Sequence, residues 1–162
     1  MIEIRKLPAD RWEDYRDLRL RALRSEPAAF GSSFEEESKL TAEEWKSRIR
    51  NTSFAVSDDE LIGMLACVYN DRRKTRHIAD IVGVYVSAEH RGKGVGTRLI
   101  EHELSLIRKN RKVIKVKLAV NPEQRAAIRL YKKAGFVVTG RTKKELKVGR
   151  RFFDMLFMEK FL

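Results

Sequence analysis

One cysteine stands among the 162 residues, at position 67, so no disulfide can close within the chain. A reducing compartment, the cytoplasm, is therefore expected. Cys67 lies in an apolar run, where packing is expected rather than reactivity. No stretch approaches the roughly 20 apolar residues that a membrane span needs, so no membrane partner is expected. The first residues carry Glu3, Arg5 and Lys6 in place of a signal peptide's apolar core. The three histidines, His77, His90 and His102, are scattered without metal-ligand spacing, so no metal is expected. Repeats, linkers and low-complexity segments are missing, and residues 1–162 read as one domain. Acidic residues are scarce in one half only. Residues 1–81 hold 15 Lys/Arg against 16 Asp/Glu, whereas residues 82–162 hold 20 against 7. The whole excess of +12 thus belongs to the second half, where a polyanionic ligand is expected.

That half contains an apolar strand, a glycine-rich basic loop and an apolar helix in direct succession. The strand ends in Val82-Gly83-Val84-Tyr85-Val86, and the loop reads Arg91-Gly92-Lys93-Gly94-Val95-Gly96-Thr97. The loop glycines carry no side chains, so backbone N–H groups can turn toward one ligand. The following helix offers unpaired N-terminal donors and the positive end of its dipole. Arg91 and Lys93 add full charge. The combination selects an anion, with phosphate the expected group. Spacing excludes two well-known phosphate loops. A dinucleotide loop needs a third glycine where Thr97 stands, and a Walker loop needs Ser or Thr where Gly94 follows Lys93.

In chain order, Ile2–Leu7 reads as a strand, and Asp10 can cap a helix to about Arg24 that Pro27 ends. Trp12, Tyr15, Leu18, Ala22 and Leu23 share one face of it. The acidic run Glu35-Glu36-Glu37 is expected on a solvated loop or facing a cationic acceptor. Thr41-x-x-Glu44 is a capping box opening a helix through Trp45 and Ile49. Phe54–Ser57 and Leu61–Tyr69 form a hairpin, and His77–Val86 is the strand before the loop. A mostly buried helix runs from Gly94 to about Lys109. There follow a strand over Val113–Val120, a helix over Glu123–Ala134, a strand over Phe136–Thr142 and a last strand over Phe152–Phe161. This order predicts an α/β fold with a mixed sheet.

The second motif is Asn121-x-x-Gln124-x-x-Ala127-x-x-Leu130-Tyr131-Lys132-x-x-Gly135-Phe136. Ala127, Leu130, Tyr131 and Ala134 share a helix face, and a buried phenol needs a partner for its hydroxyl. The first motif resembles the R/Q-x-x-G-x-G/A signature of the GNAT N-acetyltransferase superfamily. The second resembles that family's N-x-x-A-x-x-L-Y-x-x-x-G-F helix. Together they span Val82 to Phe136, in the family's order. The resemblance implies a single GNAT-type domain of about seven strands, splayed at strands 4 and 5, with about four helices. It implies acetyl-CoA as the cofactor and a small-molecule or peptide amine as the acceptor, and it allows a homodimer.

The resemblance also assigns roles. Val84 and Val86 would offer main-chain bonds to the pantetheine, which then lies along the strand like a strand itself. The tetrahedral oxyanion needs donors, and the resemblance makes an N–H near Val84 or Tyr85 the candidate. The loop from Arg91 to Thr97 would hold the pyrophosphate. Gln124 stands where relatives often have Asn, and Asn121 is the candidate to take over that polar contact. Ala127 would line the arm, and the Tyr131 hydroxyl would protonate the departing thiolate. Attack on a thioester needs a neutral amine, so a carboxylate is sought as base. Asp80, eleven residues before Arg91, comes first, Asp154 second and Glu35–Glu37 third. Trp12, Tyr15 and the acidic run are expected to shape the acceptor pocket. His90 reads as a surface residue.

Two rival readings accompany this one. A nucleic-acid-binding module would use Arg108-Lys109-x-Arg111-Lys112 and Arg141-x-Lys143-Lys144-x-x-Lys147, but aromatics do not interleave with those runs, and Phe152-Phe153 read as core strand. The other rival is a GNAT fold that binds acyl-CoA without catalysis.

Overall fold

A computed structural model describes residues 1–162. Seven strands form one mixed sheet in the order β1-β2-β3-β4-β5-β7-β6. They are β1 (Ile2–Lys6), β2 (Thr52–Ser57), β3 (Glu60–Tyr69), β4 (Ile78–Val86), β5 (Lys115–Val120), β6 (Val137–Val148) and β7 (Arg151–Phe161). The helices are α1 (Trp12–Ser25), α2 (Phe34–Glu37), α3 (Ala42–Ile49), α4 (Val95–Lys109) and α5 (Arg125–Lys133). Every neighbouring pair of strands is antiparallel except β4 and β5.

Strand alternation divides the core into two layers. On β2, Phe54 and Val56 face α1 and α3, where they meet Tyr15, Leu18, Trp45 and Ile49. Ala55 faces the other way, into the cluster built by Leu99, Ile100, Leu104 and Ile107 of α4 with Tyr131 and Phe136. The capping box of α3 forms as its sequence requires: the Glu44 amide donates to Thr41 Oγ1, and Glu44 Oε2 accepts from the Thr41 amide. The tight turn between β2 and β3 places Asp58 and Asp59 at positive φ, the twist a two-residue hairpin favours. Helix α5 closes with the Phe136 and Gly135 amides donating back to the Tyr131 and Lys132 carbonyls.

The parallel pair is the exception that shapes the rest. Strand β4 pairs with β5 only through Ile78, Ala79 and Asp80, opposite Lys115, Val116 and Lys117. Beyond this, β5 continues against β7 alone, and the two strands part. Within the same stretch β4 is bulged on its other side. Ala66 faces Val82 and Met64 faces Tyr85, so Leu65 is opposed by both Gly83 and Val84. Gly83 takes φ +64°, a left-handed conformation that a side chain would strain.

Helix α1 follows a 3-10 turn over Ala9–Arg11 and has Arg11 at its N-cap, so Asp10 does not cap it, and two further elements differ from the sequence reading. Strand β6 runs on to Val148 instead of ending near Thr142, and forms a long hairpin with β7. Its ladder is interrupted between Thr142 and Leu146, where Lys144 adopts φ +53°. Asp154 of β7 closes the gap by accepting from the Lys144 amide (3.0 Å) and from Arg141 (2.7 Å). Phe152, expected in the core, is half exposed on this hairpin beside Lys144 and Lys147. The acidic run is the second difference, because it winds into α2. Ser33 caps it, with the Glu36 amide donating to Ser33 Oγ.

Cys67 is fully packed on β3, and burial pushes its thiol up to about 12. A thiol-specific reagent at pH 8 should therefore leave the folded protein unmodified and label one site per chain in denaturant. Rapid labelling of the native protein would contradict this packing.

Candidate active site

Two cavities meet where β4 leaves β5. The first, of about 400 Å³, lies between the end of β4, the start of α4 and the face of α5. The second, of about 520 Å³, lies on the opposite face of the sheet under α1, α2 and α3. Ile81, Val82 and Gly83 line the second cavity, and Val84, Tyr85 and Val86 line the first. One strand thus serves both.

The first cavity gathers most of the residues expected at the cofactor. Val84, Tyr85 and Val86 form one wall, and Arg91, Gly92, Gly94, Val95, Gly96 and Thr97 form the rim. Gln124, Ala127 and Tyr131 of the α5 segment lie opposite. The rim is a donor array. No group within the protein accepts from the amides of Gly92 through Thr97, six successive N–H groups at the positive end of α4. Gly94 makes this possible as the N-cap, at φ +78°. Gly96 sets the width, since a Cβ there would stand 3.0 Å from Leu130 Cδ2 of α5. A pyrophosphate fits the amides, and a narrow apolar arm fits the Val84–Leu130 channel, so these residues suit acetyl-CoA.

Some placements depart from expectation. The Arg91 side chain is exposed but tied to the protein's own groups: its Nε donates to the Val86 carbonyl (2.8 Å), and its Nη1 pairs with Glu26 (2.9 Å). The Val86 carbonyl is thereby taken. Lys93 is exposed and lies outside the cavity. Asn121 does not reach the cavity either. Its Oδ1 accepts from the Glu123 amide (3.0 Å) and shapes the turn into α5, while its Nδ2 donates to the Ala28 carbonyl (3.1 Å) and ties that turn to the segment after α1. His90, read as a surface residue, lines the cleft.

Tyr131 is buried at 5% exposure, and no group of the protein hydrogen-bonds its hydroxyl. Burial raises its pKa well above the ordinary phenol value, so the proton stays on oxygen at any working pH. The ring packs edge-on against Phe136 at 6.2 Å.

The carboxylates expected as bases are committed elsewhere. Asp80 lies at the last residue pair before the strands part and lines neither cavity. Its oxygens face Asn70 Nδ2 (3.1 Å) and Lys117 Nζ (3.7 Å), so its position does not support the general-base role. Asp154 is held low by the Lys144 amide first and by Arg141 second, as part of the hairpin. Glu36 belongs to the α2 cap, and Glu35 and Trp12 do not line the second cavity.

Glu37 does line it, but as a buried counter-ion. Arg19 grips it with two bonds, Nε at 2.8 Å and Nη2 at 2.9 Å, and Arg48 Nη1 adds a third at 3.0 Å. Burial alone would raise the Glu37 pKa. The two guanidiniums outweigh that and hold it below the usual carboxylate range. Neither arginine was expected at the site. Arg19 carried a signal, because it interrupts the apolar stripe of Tyr15, Leu18, Ala22 and Leu23, and a cation on a buried face needs a buried anion.

The sequence profile of the acetyltransferase (GNAT) family matches residues 12–136. The chain belongs to this family. It is 27% identical over 104 residues to the L-amino acid N-acetyltransferase AaaT of Escherichia coli, a match covering 64% of each chain and so under two thirds of that protein. The GNAT-family acetyltransferase from Streptococcus pneumoniae superposes with a TM-score of 0.88 over the whole of both chains, at 22% identity. The putative acetyltransferase yncA of Salmonella typhimurium, solved with acetyl-CoA, superposes at 0.85 over 99% of this chain and 94% of its own, at 18% identity. At these identities the two structures establish the fold: the GNAT sheet with its parted fourth and fifth strands.

The depressed Glu37 pKa makes stability depend on pH. Its contribution is complete above the unfolded carboxylate value of about 4.3 and is lost as pH falls through the lower folded value. Glu37→Gln, which leaves Arg19 buried without its anion, should cost on the order of 3 kcal/mol at pH 7. The gap to the wild type in urea unfolding should narrow below about pH 4. A gap that is constant from pH 7 to pH 3 would show that the ion pair is not the source.

Proposed function

We propose that the protein transfers the acetyl group of acetyl-CoA directly to the primary amine of an acceptor held in the second cavity. The observation carrying this reading is that two cavities adjoin along β4, one lined by Gly83 and the other by Val84, with a donor array on the rim of one and two arginines on the wall of the other. The chain's tasks divide along that line. The amides of Gly92–Thr97 receive the pyrophosphate, and the free edge of β4 aligns the arm. An N–H at the β4 bulge, near Val84, is the candidate donor to the charge that develops on the acetyl oxygen. Acetyl-CoA supplies an activated acyl carbon. The amine nitrogen forms the new C–N bond and gives up a proton, the C–S bond breaks, and the sulfur leaves as a thiol.

Tyr131 is the candidate proton donor to that sulfur, because it lines the cleft, keeps its proton and has no partner within the protein. No carboxylate near the reaction centre is free to act as base. Attack therefore draws on the neutral fraction of the amine, whose proton passes to solvent. Cys67 is buried in the core with its thiol protonated, so transfer passes through no cysteine.

Acetyl-CoA at a hundred times its dissociation constant should stabilise the protein by about 2.7 kcal/mol in a thermal melt, with NAD and ATP as controls. Tyr131→Phe should fold with undiminished stability, since the hydroxyl bonds to nothing in the protein. It should keep the acetyl-CoA shift and lose about a hundredfold in kcat, measured by thiol release. Wild-type turnover of the Phe variant across the pH range would remove Tyr131 from the mechanism, and no shift with acetyl-CoA would remove the donor assignment.

A further inference from the structure

We infer that the acceptor is a small amine carrying an anionic terminus, a carboxylate or a comparable oxyanion, and that Arg19 and Arg48 receive that terminus. The inference rests on the acetyltransferase reading above and names the class of its second substrate. Its basis is the distribution of donors around Glu37. Arg19 is only 9% exposed, yet only part of its guanidinium is used. Nε and Nη2 serve Glu37, while Nη1 makes no hydrogen bond. That nitrogen lies over β4, close enough that a Cβ on Gly83 would stand 3.2 Å from it. Two of its five N–H donors are used, and a buried guanidinium with three left over suits an oxyanion.

Charge points the same way. Glu37 is the one acidic residue lining the cavity, and it faces two arginines, which leaves one positive charge unbalanced. A diamine or polyamine would place its second ammonium against that excess. An anionic terminus balances it and completes the coordination of Arg19. Geometry gives the orientation. Nη1 lies against Gly83, and the next residue, Val84, lines the donor's cavity. An anionic group on the arginines therefore sits close to the β4 bulge, and a short spacer is enough to bring the amine to the donor's side. The volume of about 520 Å³ suits a small ligand. Phe30, Met64, Val68 and Met155 offer apolar walls for the rest of it. Glu37 is then a positioning residue: its carboxylate bonds both guanidiniums and fixes where they stand, without touching the substrate.

The experiment is a thiol-release assay with acetyl-CoA and matched amines. The panel pairs free α-amino acids with their carboxamides, includes aminoalkylphosphonates, and adds a diamine of similar length. The wild type should favour the anionic member of each pair by tenfold or more in kcat/KM, the size of a charge-assisted hydrogen bond. The ratio of carboxylates to phosphonates tells which oxyanion fits. Arg48→Gln, at a partly exposed position, should reduce the carboxylate-to-carboxamide ratio at least tenfold, mainly through KM, while keeping the acetyl-CoA melting shift. Arg19→Gln should abolish the preference if it folds. Because the readout is a ratio within one variant, loss of folded protein does not imitate it. Equal kcat/KM for amino acids and their carboxamides, preference for the diamine, or acetyl-CoA binding without turnover of any of these amines overturns the inference and leaves the acetyl donor assignment standing. Loss of both acetyl-CoA stabilisation and turnover overturns the acetyltransferase reading itself.

Discussion

Strands β4 and β5 share three residue pairs and then separate, and the site depends on that separation. In a continuous parallel ladder the edge of β4 beyond Asp80 would be consumed by β5, leaving no backbone to align a ligand. The separation is maintained from both sides. Strand β5 spends its pairing on β7 along its whole length, from Lys115 opposite Phe161 to Val120 opposite Leu156. Strand β4 keeps its pairing to β3 and absorbs the distortion in a bulge at Gly83 and Val84. The sheet stays a single layer for the core and opens only where two substrates must meet.

Around that opening the charges are arranged by burial as much as by sequence. The basic excess of the second half lies largely on exposed faces, including the β6–β7 hairpin, while the cations lining the second cavity come from the balanced first half. Arg19 and Arg48 belong to α1 and α3, and the four-residue α2 supplies their anion. A helix that short has no stability of its own. It is held by the Ser33 cap at one end and by the Glu37 ion pairs at the other. The same contacts that order this segment therefore build the wall of the cavity.

The second half of the chain was legible in its sequence because its signals are local. The glycine spacing from Gly92 to Gly96, the helix after it and the Leu130-Tyr131…Gly135-Phe136 turn each need only neighbouring residues to be understood. The first cavity follows from them, apart from Lys93 and Asn121. Asn121 was misread because its turn chemistry, an amide bonded two residues on, looks the same in sequence as a free polar contact. The second cavity was poorly legible because its parts are distant along the chain: Arg19, Glu37, Arg48 and Gly83 meet only in the folded state. Asp80 shows the same limit. Its position along the strand suggested a base, but its partners come from the loop at Asn70 and from β5 at Lys117. The length of β6 was hidden by Lys143-Lys144-Glu145, whose bulge depends on an acceptor ten residues away.

Arg91 sits within a loop otherwise built for adaptability, yet its side chain is bonded to the end of β4 and to Glu26, just past α1. A free arginine would have to surrender its rotamer freedom when a phosphate arrived, at up to about 2 kcal/mol. Here that entropy is lost during folding. The Arg91 end of the loop is thus ordered before any ligand arrives, and that much less ordering is left to subtract from an affinity.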